Sequence, residues 1–223
     1  MSNALLLLLA DGRLPSGGHA VGGGVEWAIA HDDFTDHGVL EAWIAARIGT
    51  LGRVEAAFAV AAGHGSGFDA AMLDAELSAR IIGPRARDVS RQTGRQLLRA
   101  VRRMWDDPRL DSLGAAHASG GAHYAVVLGT AAAVAGADPI STATLVLHHH
   151  VASVITAAVR LLAEDPIAMA ALQARVALRI DELAGAAPGW ALAEPADLPS
   201  NSMPLAEILA EDHGTWTSRL FVA

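Results

Sequence analysis

The stretch that most limits what this chain can become begins at Asp138-Pro139. Behind it Ile140, Thr144, Leu147, Val151, Val154, Ala158 and Leu161 recur in alternating steps of four and three. Those steps put apolar or small side chains on one stripe of an α-helix; a strand, with its period of two, would scatter them over both faces. Aspartate is a good N-cap and proline suits the first turn, so the same dipeptide marks the start. So long a seam needs partner helices, and the rest of the chain offers them. Leu5–Ala10 and Val25–Ala30 read as short helices, and Asp36 caps another that carries Leu40, Trp43, Ile44 and Ile48. Gly49–Gly52 is expected to break that helix before the next, Val54–Ala62. Further helices follow from Asp69 to Ile82, Arg85 to Trp105, His123 to Ala135 and Asp165-Pro166 to Ala184, with Asp106-Asp107-Pro108 read as a stop.

Composition points the same way. The AVILMFWYC residues make up 52% of the 223-residue chain and aromatics only 4%. Much of the apolar share is alanine, the best helix former, so the expected class is all-α with closely packed helices. No internal repeat appears, and no linker before residue 185 is long enough to divide domains. The expectation is one multi-helix bundle over 1–200 and a C-terminal extension over 201–223, with a short helix from Leu205 to Glu211 and an extended tail.

All sixteen basic residues are arginine, which removes Schiff-base lysines and any phosphate-binding lysine. The formal net charge of −8 disfavours non-specific contact with nucleic acid or an anionic membrane. Without cysteine there is no disulfide, thiolate metal site or cysteine nucleophile, which fits a cytoplasmic chain. The apolar run Ala4–Leu9 is short for a signal peptide and lacks its positive n-region. No run reaches the roughly 18 purely apolar residues of a membrane span. A soluble protein is expected.

Several motifs invite chemistry. Leu14–Glu26, LPSGGHAVGGGVE, holds five glycines in thirteen residues and leads into a helix. A phosphate loop needs Gly-Lys-Ser/Thr at the helix start, and the first-turn Glu26 would repel phosphate. A dinucleotide fingerprint needs a preceding strand. The preferred reading is a turn in which glycine allows positive φ or close approach to a neighbouring helix. His148-His149-His150 looks like a metal tract, but consecutive helical residues point about 100° apart and cannot converge on one ion. His150 lies nearest the Leu147/Val151 seam; His19, His117, His123 and His213 are isolated in sequence.

Eight arginines fall between Arg80 and Arg103, and Arg87, Arg91, Arg95, Arg99 and Arg103 run at strict i+4 spacing. That slanting positive stripe has two readings: solvated and paired with carboxylates, or a docking face for an acidic partner. No GxSxG, DxD or HxE motif appears, so nothing positive argues for catalysis. A site assembled by folding around His19 and Glu26 stays open. The last ten residues, GTWTSRLFVA, carry Trp216, Arg219, Leu220, Phe221 and Val222. Such an apolar segment must pack on the body or insert into a partner.

Four blocks together resemble the urease accessory protein UreF family. They are LLLLADGRLPSGGHAVGGGVE, RQTGRQLLR (Arg91–Arg99), ASVITAAVRLLAEDP (Ala152–Pro166) and SMPLAEILAEDHGTWTSRLFVA (Ser202–Ala223). They stand in the family's order over nearly the whole chain; the Leu-Pro-x-Gly-Gly loop and the Arg-Leu-Phe ending are the most specific. The resemblance implies an all-α homodimer that is not itself an enzyme. It would act with the accessory protein UreD (also called UreH) and the GTPase UreG, so that nickel reaches apo-urease. No permanent cofactor is implied, nickel being only in transit, and no catalytic or metal-ligating residue is assigned. Arg219, Leu220 and Phe221, within a block that also holds Trp216 and His213, would face UreD. Pro15, Gly17, Gly18 and Glu26 would shape the N-terminal loop and helix start, and Arg95 and Gln96 would belong to a central partner-supporting helix. The chain departs from the family at Val21-Gly22, where histidine or tyrosine and then serine are common. It departs again at Glu164, where an apolar residue is usual, and at Ala223 in place of serine. The alternative function is a stand-alone nickel carrier built on the ten histidines.

Overall fold

The computed structural model describes residues 3–15, 25–31, 36–66, 69–118 and 120–214, and every regular element among them is helical. In order these are α1 (Asn3–Ala10), α2 (Val25–Ala30), α3 (His37–Arg47), a π-helical turn (Ile48–Gly52), α4 (Arg53–His64), α5 (Ala70–Arg80), α6 (Pro84–Met104) and α7 (Pro108–Ala116). Then come α8 (Tyr124–Val134), α9 (Pro139–Leu161), α10 (Pro166–Ala184), α11 (Ala187–Trp190), a 3-10 turn (Pro195–Asp197) and α12 (Pro204–His213). The all-α class holds.

Aspartates start many of these helices. Asp36, Asp69, Asp107, Asp138 and Asp165 each take an N-cap position and accept from backbone N–H groups of the first turn. Each satisfies donors that the helix itself leaves free. Asp107 corrects one expectation. Asp106-Asp107-Pro108 does end α6, but Asp107 also caps α7, with proline in its first turn.

Gly49–Gly52 is the second correction. The chain stays helical there and widens into a π turn, its backbone running from Arg47 to Arg53 in right-handed conformation. Helix propensity loses to packing at this point: a Cβ on Gly52 would press on the Arg47 carbonyl, His150 and Leu147. Bare backbone lets α9 close in, and the π turn absorbs the extra residue. The proline-rich stretch after Ala184 holds the short α11 and the 3-10 turn.

The core is built around α8, which is buried from Ala125 to Ala132 on every side. A helix apolar all round belongs in the middle. Its closest neighbour is α4, buried continuously from Ala56 to Ala61, and the two meet through alanine and glycine. A Cβ on Gly129 would overlap the Ala59 backbone, so the axes approach as only glycine permits.

Around this pair pack α6 and α9, and α9 in turn packs on α10. The seam predicted for α9 is buried at Leu147, Val151, Val154 and Ala158, but Ile140 is 47% exposed. In exchange Ala143, Val146 and Ala157 are buried, because α9 faces α4, α8 and α10 and so covers a wider arc than one stripe. Among the described residues α9 alone is long and apolar enough to cross a membrane, and 56% of its most apolar window is buried, as befits a core helix.

Candidate functional site

Two polar features flank the last helix. The first is a clamp that fastens α12. Glu26 from α2 and His213 from α12 are both buried, and Glu26 Oε2 lies 2.9 Å from His213 Nε2. Beside them the Trp27 indole N–H donates to Asp212. On the other flank α6 starts at Gly83, which has no side chain to cap its own helix. The missing acceptors come from α12: Gly83 N–H donates to Glu207 Oε2 at 2.9 Å and Arg85 N–H to Glu211 Oε1 at 2.7 Å. Glu207 and Glu211 are one turn apart and share a face, so one helix presents both carboxylates to the positive end of another.

The second feature is a cavity of about 320 Å³ lined by residues of α1, α6, α9 and α12. His150 Nε2 lies 3.0 Å from Glu55 Oε2. Burial alone would raise the Glu55 carboxyl, but His150 and Arg47 outweigh it and hold the group below its ordinary range. Burial pushes the Arg47 guanidinium down, and Glu55 opposes that. His149 bridges the Leu9 carbonyl and the Tyr124 hydroxyl, both at 3.1 Å. A carbonyl can only accept, so Nε2 carries the proton and Nδ1 accepts from tyrosine. Burial, with His148 and His150 adding, lowers the His149 imidazole to about 4, and burial also lowers His148. His150 Nδ1 and Glu207 Oε1 are buried without a hydrogen-bond partner among the described residues. Among those residues no three His, Asp or Glu side chains gather in a way that could hold a metal ion.

A third polar cluster was not legible from spacing. His123, fully buried just before α8, donates its backbone N–H to Asp74 Oδ1 at 2.7 Å. Its ring lies 2.7 Å from Ser78 Oγ and 3.0 Å from Ser90 Oγ, and burial lowers it to about 4. The ring meets two hydroxyls, and the nearby carboxylate, Asp74, is engaged by the His123 backbone and by Arg91 at 2.6 Å. A Ser-His pair without an acid on its second nitrogen lacks the orienting partner of a catalytic triad. The arrangement ties α5, α6 and α8 together.

The residues singled out from sequence fall into three groups. Glu26 and His213, taken from opposite ends of the chain, are brought together. Arg95 is exposed and donates to the Gly120 carbonyl at 2.5 Å, while Gln96 is half-buried and Pro15 exposed. Gly17, Gly18, His19, Trp216, Arg219, Leu220 and Phe221 lie outside the described residues, as do Val21-Gly22 and Ala223. Glu164 pairs with His37 at 2.8 Å, so this departure from the usual apolar residue has a partner in α3.

Fold and sites define an all-α bundle whose buried polar groups join helix to helix. Residues 34–177 match the family model UreF. The urease accessory protein UreF of Mycobacterium sp. (strain JLS) is 41% identical, the match covering 98% of this chain and 97% of that one. That of Mycolicibacterium vanbaalenii is also 41% identical, over 95% and 94%. That of Mycobacterium tuberculosis (strain H37Rv) is 38% identical, over 100% and 99%. The chain belongs to the UreF family of urease accessory proteins.

Proposed function

We propose that this chain is a non-catalytic adaptor in urease maturation. It joins UreD (UreH) and recruits the GTPase UreG, so that nickel reaches apo-urease. It works as a cytoplasmic homodimer, and nickel is cargo in transit rather than a resident cofactor. The observation that carries the reading is the match to UreF proteins over nearly the full length. The clamp supports it, because α12 is pinned at Glu26, Gly83 and Arg85 immediately before the block that holds Trp216 and Arg219-Leu220-Phe221. A docking segment gains affinity when its root is held, since less freedom is lost on binding.

The test is co-purification with UreD after deletion of Gly214–Ala223. Loss of UreD with helical circular dichroism nearly intact is expected; retained binding overturns the UreD-facing role. Calorimetry of the purified chain with nickel addresses the carrier alternative. Both ring nitrogens of His149 and Nε2 of His150 already have protein partners. Replacing His148, His149 and His150 by alanine should therefore remove no tight nickel site, and a site lost with them would favour the carrier.

A further inference from the structure

The five-arginine ridge of α6 does not act as one surface. Its N-terminal members are consumed by the fold. Arg87 donates to the Ile81 and Ile82 carbonyls at 2.6 and 2.9 Å. Arg91 pairs with buried Asp74 at 2.6 Å and donates to the Gly121 carbonyl and to Ser78 Oγ. Arg95 reaches the Gly120 carbonyl. Arg99 and Arg103 are exposed and make no hydrogen bond or ion pair with any described residue.

Both line a groove of about 420 Å³ between α6 and α7, together with Arg95, Arg102, Leu98 and Trp105. The two carboxylates in the lining are Asp106 and Asp111, and Arg102 holds Asp111 at 2.6 Å. The groove is therefore a positive strip on a chain whose formal net charge is −8. Arg95 to Arg103 spans two turns, about 12 Å along the helix. Its lining also includes apolar Leu98 and the partly buried Trp105.

We propose that this groove docks an acidic segment of a partner protein, its carboxylates forked by Arg99 and Arg103 and an apolar side chain laid on Leu98 and Trp105. Guanidinium is matched to carboxylate because two parallel N–H donors meet two oxygens. The occupant is a peptide rather than a lone phosphate because the two free guanidinium groups, Arg99 and Arg103, stand one turn apart, about 6 Å along the helix, with apolar Leu98 and Trp105 beside them in the groove. Neither Arg99 nor Arg103 enters the UreD-facing role, so the inference stands independently of it.

The probe is a fluorescein-labelled peptide of alternating glutamate pairs and leucines, followed by anisotropy with the full chain. Saturable binding is expected, weakening as salt rises. The R99E/R103E pair should weaken it by at least about tenfold. The R175E/R179E pair on α10 makes the same charge change elsewhere and should leave it unaltered. Circular dichroism checks that both variants fold. Equal weakening by the two pairs would mean only net charge is sensed and would overturn the proposal. So would binding of inorganic phosphate in the groove without binding of the peptide. A change in the chain's own oligomeric state on R99E/R103E would make a second copy the occupant and overturn it as well.

Discussion

The α4–α8 seam and the α12 clamp hold helices together by opposite means. The seam is dry and made of alanine and glycine, its closeness set by Gly129 against Ala59 and by Gly63 against Gly129. The clamp is polar and joins residues from distant parts of the chain: Glu26 with His213, Gly83 with Glu207, Arg85 with Glu211. Packing of small residues is insensitive to pH and salt, but it tolerates no added volume. A buried carboxylate and imidazole tolerate little change of chemistry, because each is costly once its partner is gone. The α4–α8 seam itself is thus indifferent to pH and salt, whereas the attachment of the last helix depends on a few polar groups.

The largest break in this comparison should come from the seam. Gly129→Leu places a side chain where the Ala59 backbone already stands. Since backbone cannot rotate away as a side chain can, the loss should be about 3 kcal/mol, spread over the whole molecule. Thermal unfolding by circular dichroism should show one transition at lower temperature. An unchanged midpoint would mean that the two helices can separate freely.

His213→Ala should cost less, about 2 kcal/mol, and locally. Glu26 would keep its burial but lose its His213 partner, so α12 should loosen while α4 and α8 keep their protection. Hydrogen exchange separates the two cases: faster exchange confined to α12 and α2 is expected. Uniform acceleration would make the clamp part of the core.

A pH series sharpens the contrast. His149 and His123 fall from 6.5 to about 4 in the folded chain, chiefly through burial. Above about pH 6.5 both states are neutral and nothing changes. As pH falls from there towards 4 the unfolded chain takes up protons that the folded one refuses, so stability drops. Each group contributes a slope of about 1.4 kcal/mol per pH unit within that window. Glu55, depressed from 4.5, adds its loss only below its ordinary value. His149→Gln should therefore flatten urea-unfolding stability between pH 6.5 and 4 by about one proton equivalent. The same slope in the variant would show that His149 is not held neutral.

Local chemistry made the helices legible, while pairing was not. Asp36, Asp138 and Asp165 announced their helices because capping depends on the next two or three residues alone. The start of α7 was hidden in a stop signal, since Asp107-Pro108 serves two helices at once. Glu26 and His213 are 187 residues apart, and nothing near either one names the other. The arginine ridge was visible as spacing. Which arginines are spent was not, because their acceptors are largely loop carbonyls at Ile81, Ile82, Gly120 and Gly121.

The smallest expected effect lies at the clamp's outer edge. Trp27→Phe removes the indole N–H that Asp212 accepts but keeps an aromatic ring to stack on His31, whose ring lies 3.6 Å from that of Trp27. Asp212 is exposed, so water can replace the lost donor, and the cost should be only about 0.5–1 kcal/mol. The same hydrogen-exchange experiment should show α12 little altered. If Trp27→Phe loosened α12 as much as His213→Ala, the buried pair would be one contact among equals. The clamp would then owe its strength to the apolar contact of α2 with α12, as the seam does.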